Sequence, residues 1–192
     1  RVVPEWDFGK GSSQGWSIAT ADSRYIYFAA GWGSYIRYDT TMDFTDTNAW
    51  EEGYGDYDYW RQSYYGGPVE MIMIGTKLYT FQSGCRMLIY DTTKGWTAAW
   101  EEDTSAVTNP SGYTGFNIRT PILAAGGTCP NNTEIWGRPA YDGQRYVYFP
   151  PKQDGRVMRF DSQGSPMDSS SYTFFDVTTT LGASYENYIS AG

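Results

Sequence analysis

The 192 residues carry 22 acidic and 14 basic side chains, a formal charge of −8, and no histidine at all. Length admits one ordinary domain or at most two small ones. The acidic balance argues against nucleic acid and anionic membrane surfaces, which reward clustered Lys and Arg. Without histidine there is no Ser-His-Asp or Cys-His catalysis, no imidazole base and no His-containing metal site. Aromatic residues make up 18% of the chain, which argues against disorder. The 22 glycines suit a turn-rich β protein better than a helical bundle. No window approaches the ~18 apolar residues of a membrane-spanning helix, so membrane insertion is not expected.

The chain begins at Arg1 without a signal-like segment, which reads as processing or as excision from something longer. Glu5-Trp6-Asp7-Phe8 looks like a last strand detached from its sheet. A first unit, about residues 12–54, places strands at Trp16–Thr20, at Tyr25–Ala29, up to Tyr38-Asp39, and at Trp50-Glu51-Glu52. A second, about 59–104, repeats the order with Val69–Met73, Leu78–Phe81, a strand ending Tyr90-Asp91, and Trp100-Glu101-Glu102. An insertion follows over 108–133, in which Phe116-Asn117-Ile118-Arg119 and Pro121-Ile122-Leu123-Ala124 either add a strand or cap the fold. Long loops of this kind most often cover a core edge. The third unit, about 133–180, has strands at Ile135–Ala140, Tyr146–Phe149, up to Phe160-Asp161, and at Tyr172–Asp176. Its Asp142-Gly143 is a strong hairpin signal, because glycine accepts the positive φ of a primed turn. Glu186-Asn187-Tyr188-Ile189-Ser190-Ala191 looks like a first strand without its sheet. No segment shows a capped 3.6-residue periodicity, so almost no helix is expected.

The units are copies of one another. Arg24-Tyr25-Ile26-Tyr27-Phe28 aligns with Lys77-Leu78-Tyr79-Thr80-Phe81 and Arg145-Tyr146-Val147-Tyr148-Phe149, and the strand-three aspartate recurs at 39, 91 and 161, spacings of 52 and 70 residues. Four short strands per unit of some 50 residues, with a late aromatic, is the pattern of a β-propeller blade. Tyr38-Asp39 followed by Trp50, and Tyr90-Asp91 followed by Trp100, resemble kelch-like or galactose-oxidase-like propellers. Where kelch units carry Gly-Gly after strand two, this chain has Ala29-Ala30-Gly31, Gln82-Ser83-Gly84 and Pro150-Pro151. The resemblance implies an all-β propeller of about three four-stranded antiparallel blades plus end strands of a further one, in a single unit over 1–192. Closure then comes from the end strands, from other chains, or from neighbouring blades of a longer chain.

Several residues are candidates for chemistry. Glu70, inside the apolar run Val69–Met73, sits where a desolvated carboxylate would have a raised pKa and serve as a general acid, unless Arg138 at the equivalent place in unit three neutralises it. Asp39, Asp91 and Asp161 recur once per unit, as turn formers do, whereas an active site is made once. Asp39, Asp43 and Asp46, and Asp56 with Asp58, supply oxygen ligands for Ca²⁺ without completing a known loop; no other cofactor is implied. Cys85 and Cys129 are an even pair that forms one disulfide in an oxidising compartment or stays as two thiols, and Asn131 begins a glycosylation tripeptide. Trp32, Tyr35, Tyr57, Tyr59, Trp60 and Tyr64 lie in glycine-rich or polar connections, where rings suit protein or sugar contacts as well as packing between blades.

The expected function is therefore a non-enzymatic module at the cell exterior or on a virion or cell surface, acting in adhesion or assembly by binding glycan or protein through aromatic loops. One alternative is a propeller glycoside hydrolase or lyase fragment using paired carboxylates, Glu70 among them. Another is a purely structural assembly subunit, for which self-association is expected.

Overall fold

The computed structural model describes residues 16–30, 34–54, 68–82, 84–94, 96, 115–129, 137–151, 155–177 and 179. In them the chain is mostly antiparallel β-sheet. β1 (Trp16–Ala21), β2 (Tyr25–Ala30), β3 (Ser34–Asp39) and β4 (Trp50–Tyr54) form the first sheet in that order. β5 (Pro68–Ile74), β6 (Lys77–Gln82), β7 (Arg86–Asp91) and β8 (Phe116–Asn117) form the second. β9 (Ala140–Tyr141), β10 (Tyr146–Phe149), β11 (Arg156–Asp161) and β12 (Tyr172–Asp176) form the third. Each sheet is a meander, strands adjacent in sequence being adjacent in space.

Two expectations change. The fourth strand of the second sheet comes from the insertion: Phe116 pairs with Met87 and Asn117 with Arg86. Trp100-Glu101-Glu102, expected in that place, lies outside the described residues, as do both detached end strands. The second change is one of register. Asp39 lies opposite Tyr25, Asp91 opposite Lys77, and Asp161 opposite Tyr146, so Lys77 and not Leu78 is the counterpart of Tyr25. Turn length does not separate the first two sheets, for Asp22 N–H bonds Tyr25 O where Ile74 pairs with Lys77; the turns differ in what fills them. In the first and third sheets the β1–β2 and β9–β10 turns are built around an aspartate: Asp22 Oδ1 accepts the backbone N–H of Arg24 and Tyr25 at 2.7 and 2.6 Å, and Asp142 Oδ1 those of Gln144, Arg145 and Tyr146 at 2.8–3.0 Å. The second sheet turns in two residues, Gly75-Thr76, with Gly75 at φ +58°. A slip of one residue sends every side chain of a strand to the other face.

With the register set, the sheets stack in one sense. Tyr27, Ala29 and Tyr35 of the first sheet share a core with Met71, Leu78, Leu88 and Tyr90 of the second. The opposite face of the second sheet, Tyr79, Phe81, Met87 and Ile89, shares a core with Val147, Phe149, Met158 and Phe160 of the third. The second sheet is thus covered on both sides, which is why Met87-Leu88-Ile89-Tyr90 is an unbroken buried run instead of an alternating one. Edge-to-face rings tie the layers: Phe81 and Phe149 lie 4.5 Å apart at 72°, and Trp96 is wedged 5.5 Å from Tyr27 and 5.0 Å from Tyr90.

The insertion holds an α-helix, α1 (Arg119–Ala124), against an expectation of almost none. Pro121 is tolerated because it sits in the first turn, where its missing N–H has no intrahelical partner. Ile118 and Ile122, four residues apart on one side, are fully buried in the core shared by the second and third sheets. A Schellman stop ends the helix: Gly127 N–H bonds Ile122 O, Gly126 N–H bonds Leu123 O, and Gly126 takes φ +87°. Nearby, Cys129 is joined to Cys85 by a disulfide. The insertion is a packing element as well as the donor of β8. The disulfide, and the lack among described residues of a helix long and apolar enough to cross a membrane, are compatible with a secreted chain.

Candidate functional site

The recurrent aspartates are occupied by the fold. Arg24 donates to Asp39 Oδ2 from Nε at 3.1 Å and Nη2 at 2.6 Å, while Asp39 Oδ1 accepts the N–H and hydroxyl of Thr41 at 3.0 and 2.6 Å. Asp91 holds Thr93 in the same way, and Asp161 takes Arg145 at 2.5–3.0 Å. Asp43 holds Thr45, and Asp46 caps the single 3-10 turn at Thr47–Ala49, as Asp168 caps Ser169–Ser171. Asp39, Asp43 and Asp46 therefore do not converge on a Ca²⁺, and among the described residues no three acidic or cysteine side chains form a metal-binding group. Asp56 and Asp58 lie outside them.

These bonds hold the carboxyls of Asp39 and Asp161 below the ordinary 3.8, chiefly through the arginine that each accepts. A carboxylate lowered by folding stabilises the fold above its unfolded pKa, and that contribution fades as pH falls toward the folded value. Urea unfolding should therefore show the wild type losing stability as pH is taken from neutral to below about 4. Asp39→Asn should be less stable at neutral pH and lose less over the same range; equal acid slopes for the two proteins would contradict the assignment.

Glu70 is half-buried opposite Phe81, on the side of the second sheet that faces the third and toward the other end of the ladder from Asp91. Arg138 is exposed. Trp32, Tyr57, Tyr59, Trp60, Tyr64 and Asn131 lie outside the described residues. Tyr35 is inside them and corrects its expectation. It is fully buried and donates its hydroxyl to Thr80 Oγ1 at 3.3 Å, so it joins the first two sheets and presents nothing to a ligand. The alternation of β3 sends Tyr35 and Arg37 toward the second sheet and Ile36 and Tyr38 away from it.

That other face of the first sheet carries a cluster of aromatic rings. Trp50 lies 6.0 Å from Phe28 in a stacked pair, 4.8 Å from Tyr38, and 5.2 Å from Phe44 edge-on. Phe44 is 65% exposed. The polar handles of the cluster are spent inward, for Trp50 Nε1–H donates to Phe44 O at 3.1 Å and the Tyr38 hydroxyl to Met42 O at 2.8 Å. What remains outward is ring surface. No strand motif announces this cluster, but the sequence carries its sign: β2 is apolar at odd and even positions alike, as strands needing cover on both sides are.

No protein-family model matches the chain, and no curated protein does. Among solved structures the chain is similar to apo AztD from Citrobacter koseri, at 11% identity and a TM-score of 0.44 over 88% of this chain and 36% of that one. It is similar to glutaminyl cyclase from Myxococcus xanthus, at 10% identity and 0.44 over 88% of this chain and 56% of that one. BamB from Moraxella catarrhalis matches at 14% identity and 0.38, over 77% and 46%. The chain covers well under two thirds of each. None of the three bears on family or activity, and the kelch-like resemblance has no matching model.

Proposed function

We propose that the chain is a β-propeller segment without enzymatic activity that acts outside the cell, in adhesion or assembly, by presenting ring surface to a macromolecular partner. Three meanders of four strands, each laying one face on the opposite face of the next, support the blade reading. The observation that carries the functional reading is the open cluster of Phe28, Tyr38, Phe44 and Trp50, a concentration of aromatic area of the kind found at the centre of interfaces. Because its hydroxyl and indole N–H are already bonded within the unit, it favours an apolar protein surface over a sugar, whose hydroxyls need partners.

The test sets the binding and enzymatic readings against each other. A panel of polysaccharides is assayed for binding and cleavage by the wild type and by Glu70→Gln, and association of the chain with itself is followed in Phe44→Ala. Association should fall at least tenfold in Phe44→Ala with an unchanged circular dichroism spectrum, as loss of an interface anchor predicts. Polysaccharide cleavage abolished by Glu70→Gln would replace this reading with the glycosidase or lyase one.

A further inference from the structure

We propose that the partner of the aromatic face is a second copy of this chain, whose third sheet lays its outer face upon it; this rests on the reading above that the aromatic face is a binding surface. The argument comes from the repeat. In both internal interfaces the same side of one sheet meets the other side of the next. The outer faces of the first and third sheets, on which no other described sheet lies, are therefore of opposite kind, and they are the two kinds that pack together inside the chain. The first sheet leaves open the side that its successors bury: Ile26 and Tyr38 correspond to Leu78 and Tyr90, and to Val147 and Phe160, all four of which are wholly buried. The third sheet leaves open the side that the first sheet buries, Tyr146 and Arg159 standing where Tyr25 and Arg37 stand.

The chemistry of the two open faces matches as well. Phe44 and Trp96 each lie five residues beyond the strand-three aspartate, at 44 − 39 and 96 − 91. Each meets the strand-three tyrosine edge-on, Phe44 to Tyr38 at 5.5 Å and Trp96 to Tyr90 at 5.0 Å. Trp96 is only 4% exposed because the first sheet covers it, with Arg37 lying 5.2 Å from its ring and 4.2 Å from that of Tyr25. Phe44 is 65% exposed, and among the described residues no arginine lies over its ring. The third sheet carries the matching cover: Arg159 lies 4.4 Å over Tyr146, and its strand-four neighbour is Thr173 where Arg37 has Glu51. Phe175, 56% exposed, extends the same face. Seating it on a second copy brings the Arg159 cation over Phe44 as Arg37 lies over Trp96, an attraction that strengthens once water is excluded. Such a contact is heterologous, so each copy keeps one open face of each kind and the assembly closes as a ring or grows.

Sedimentation velocity of the 192-residue chain over a concentration series tests this. The wild type should sediment as dimers or larger species, and Phe44→Asp and Arg159→Glu should each be monomeric. Both positions are on open faces, so circular dichroism should stay unchanged. A mixture of the two variants should then form a species of twice the chain mass and no larger, since each contributes one intact face. A wild type that stays monomeric at every concentration overturns the proposal, as does a mixture that stays monomeric. A monomer whose binding of a polysaccharide is still lost in Phe44→Ala would overturn the second copy as partner and leave the aromatic binding surface standing.

Discussion

Phe149→Ala should lower the free energy of unfolding by about 3–5 kcal/mol, the range for emptying a buried aromatic site. Phe149 is fully buried in the core between the second and third sheets, its ring edge-on to Phe81 at 4.5 Å. It comes from β10, where its neighbours Val147 and Tyr148 point to opposite sides. Tyr148→Ala, one residue away on the open face, is the control and should cost no more than about 0.5 kcal/mol. Phe81→Ala should resemble Phe149→Ala. The double variant should be less damaging than the sum by about 0.5–1.5 kcal/mol, because the ring pair can be lost only once. Urea midpoints at constant m-value read all four. A loss below about 1 kcal/mol for Phe149→Ala would mean that the second and third sheets do not share a closed core.

Breaking the Cys85–Cys129 disulfide should cost about 4 kcal/mol on the chain-entropy model, given the 44-residue separation it spans. Both cysteines are buried, so the crosslink is part of the core and not a surface staple. It adds a covalent tie to the insertion, which Ile118 and Ile122 anchor in the core. β8 is two residues long, and α1 has a single turn and a half with no side-chain cap at its start. Cys85 also sits at φ +58°, in the left-handed region that a side chain other than Gly, Asn or Asp seldom adopts, a conformation sustained by its surroundings. Cys129→Ser leaves that backbone residue in place and removes only the bond, so it is the better variant than Cys85→Ser. Its unfolding should move to lower urea by the amount that reduction moves the wild type, and amide exchange should rise most over 116–127. No change of midpoint on reduction would mean that the cysteines are not joined in solution.

The blade pattern was legible in the residues because its determinants are local. Asp39, Asp91 and Asp161 satisfy backbone N–H groups two residues away, and such turns form wherever Asp-Thr-Thr or its like follows an extended run. Their structural role could thus be read from recurrence alone. The helix in the insertion was not legible, for its anchors Ile118 and Ile122 are a single pair and its stop lies in Gly126-Gly127, with too few turns to show a period. Of the candidate aromatics, Tyr35 alone lies among the described residues. Tyr35 has the composition of a surface platform and the burial of a core residue, because its face depends on which side of the first sheet the second sheet covers.

The sequence by itself determined the recurrence of the unit and the sites of its turns, since both follow from contacts within a few residues, whereas the fourth strand of the second sheet, drawn from the insertion, did not follow from them. Only the tertiary structure decided which face of each strand is inside. That choice depends on register, which sets Tyr25 opposite Asp39 and Lys77 opposite Asp91, one residue from where the likeness of Arg24 to Lys77 would place it. It also depends on stacking, because a sheet that is apolar on both sides has no preferred interior until a neighbour covers one of them. For the second sheet neighbours cover both. For the first, the side that no other described sheet covers is that of Phe28, Tyr38, Phe44 and Trp50, and so the surface proposed for function depends on the order in which the sheets pack.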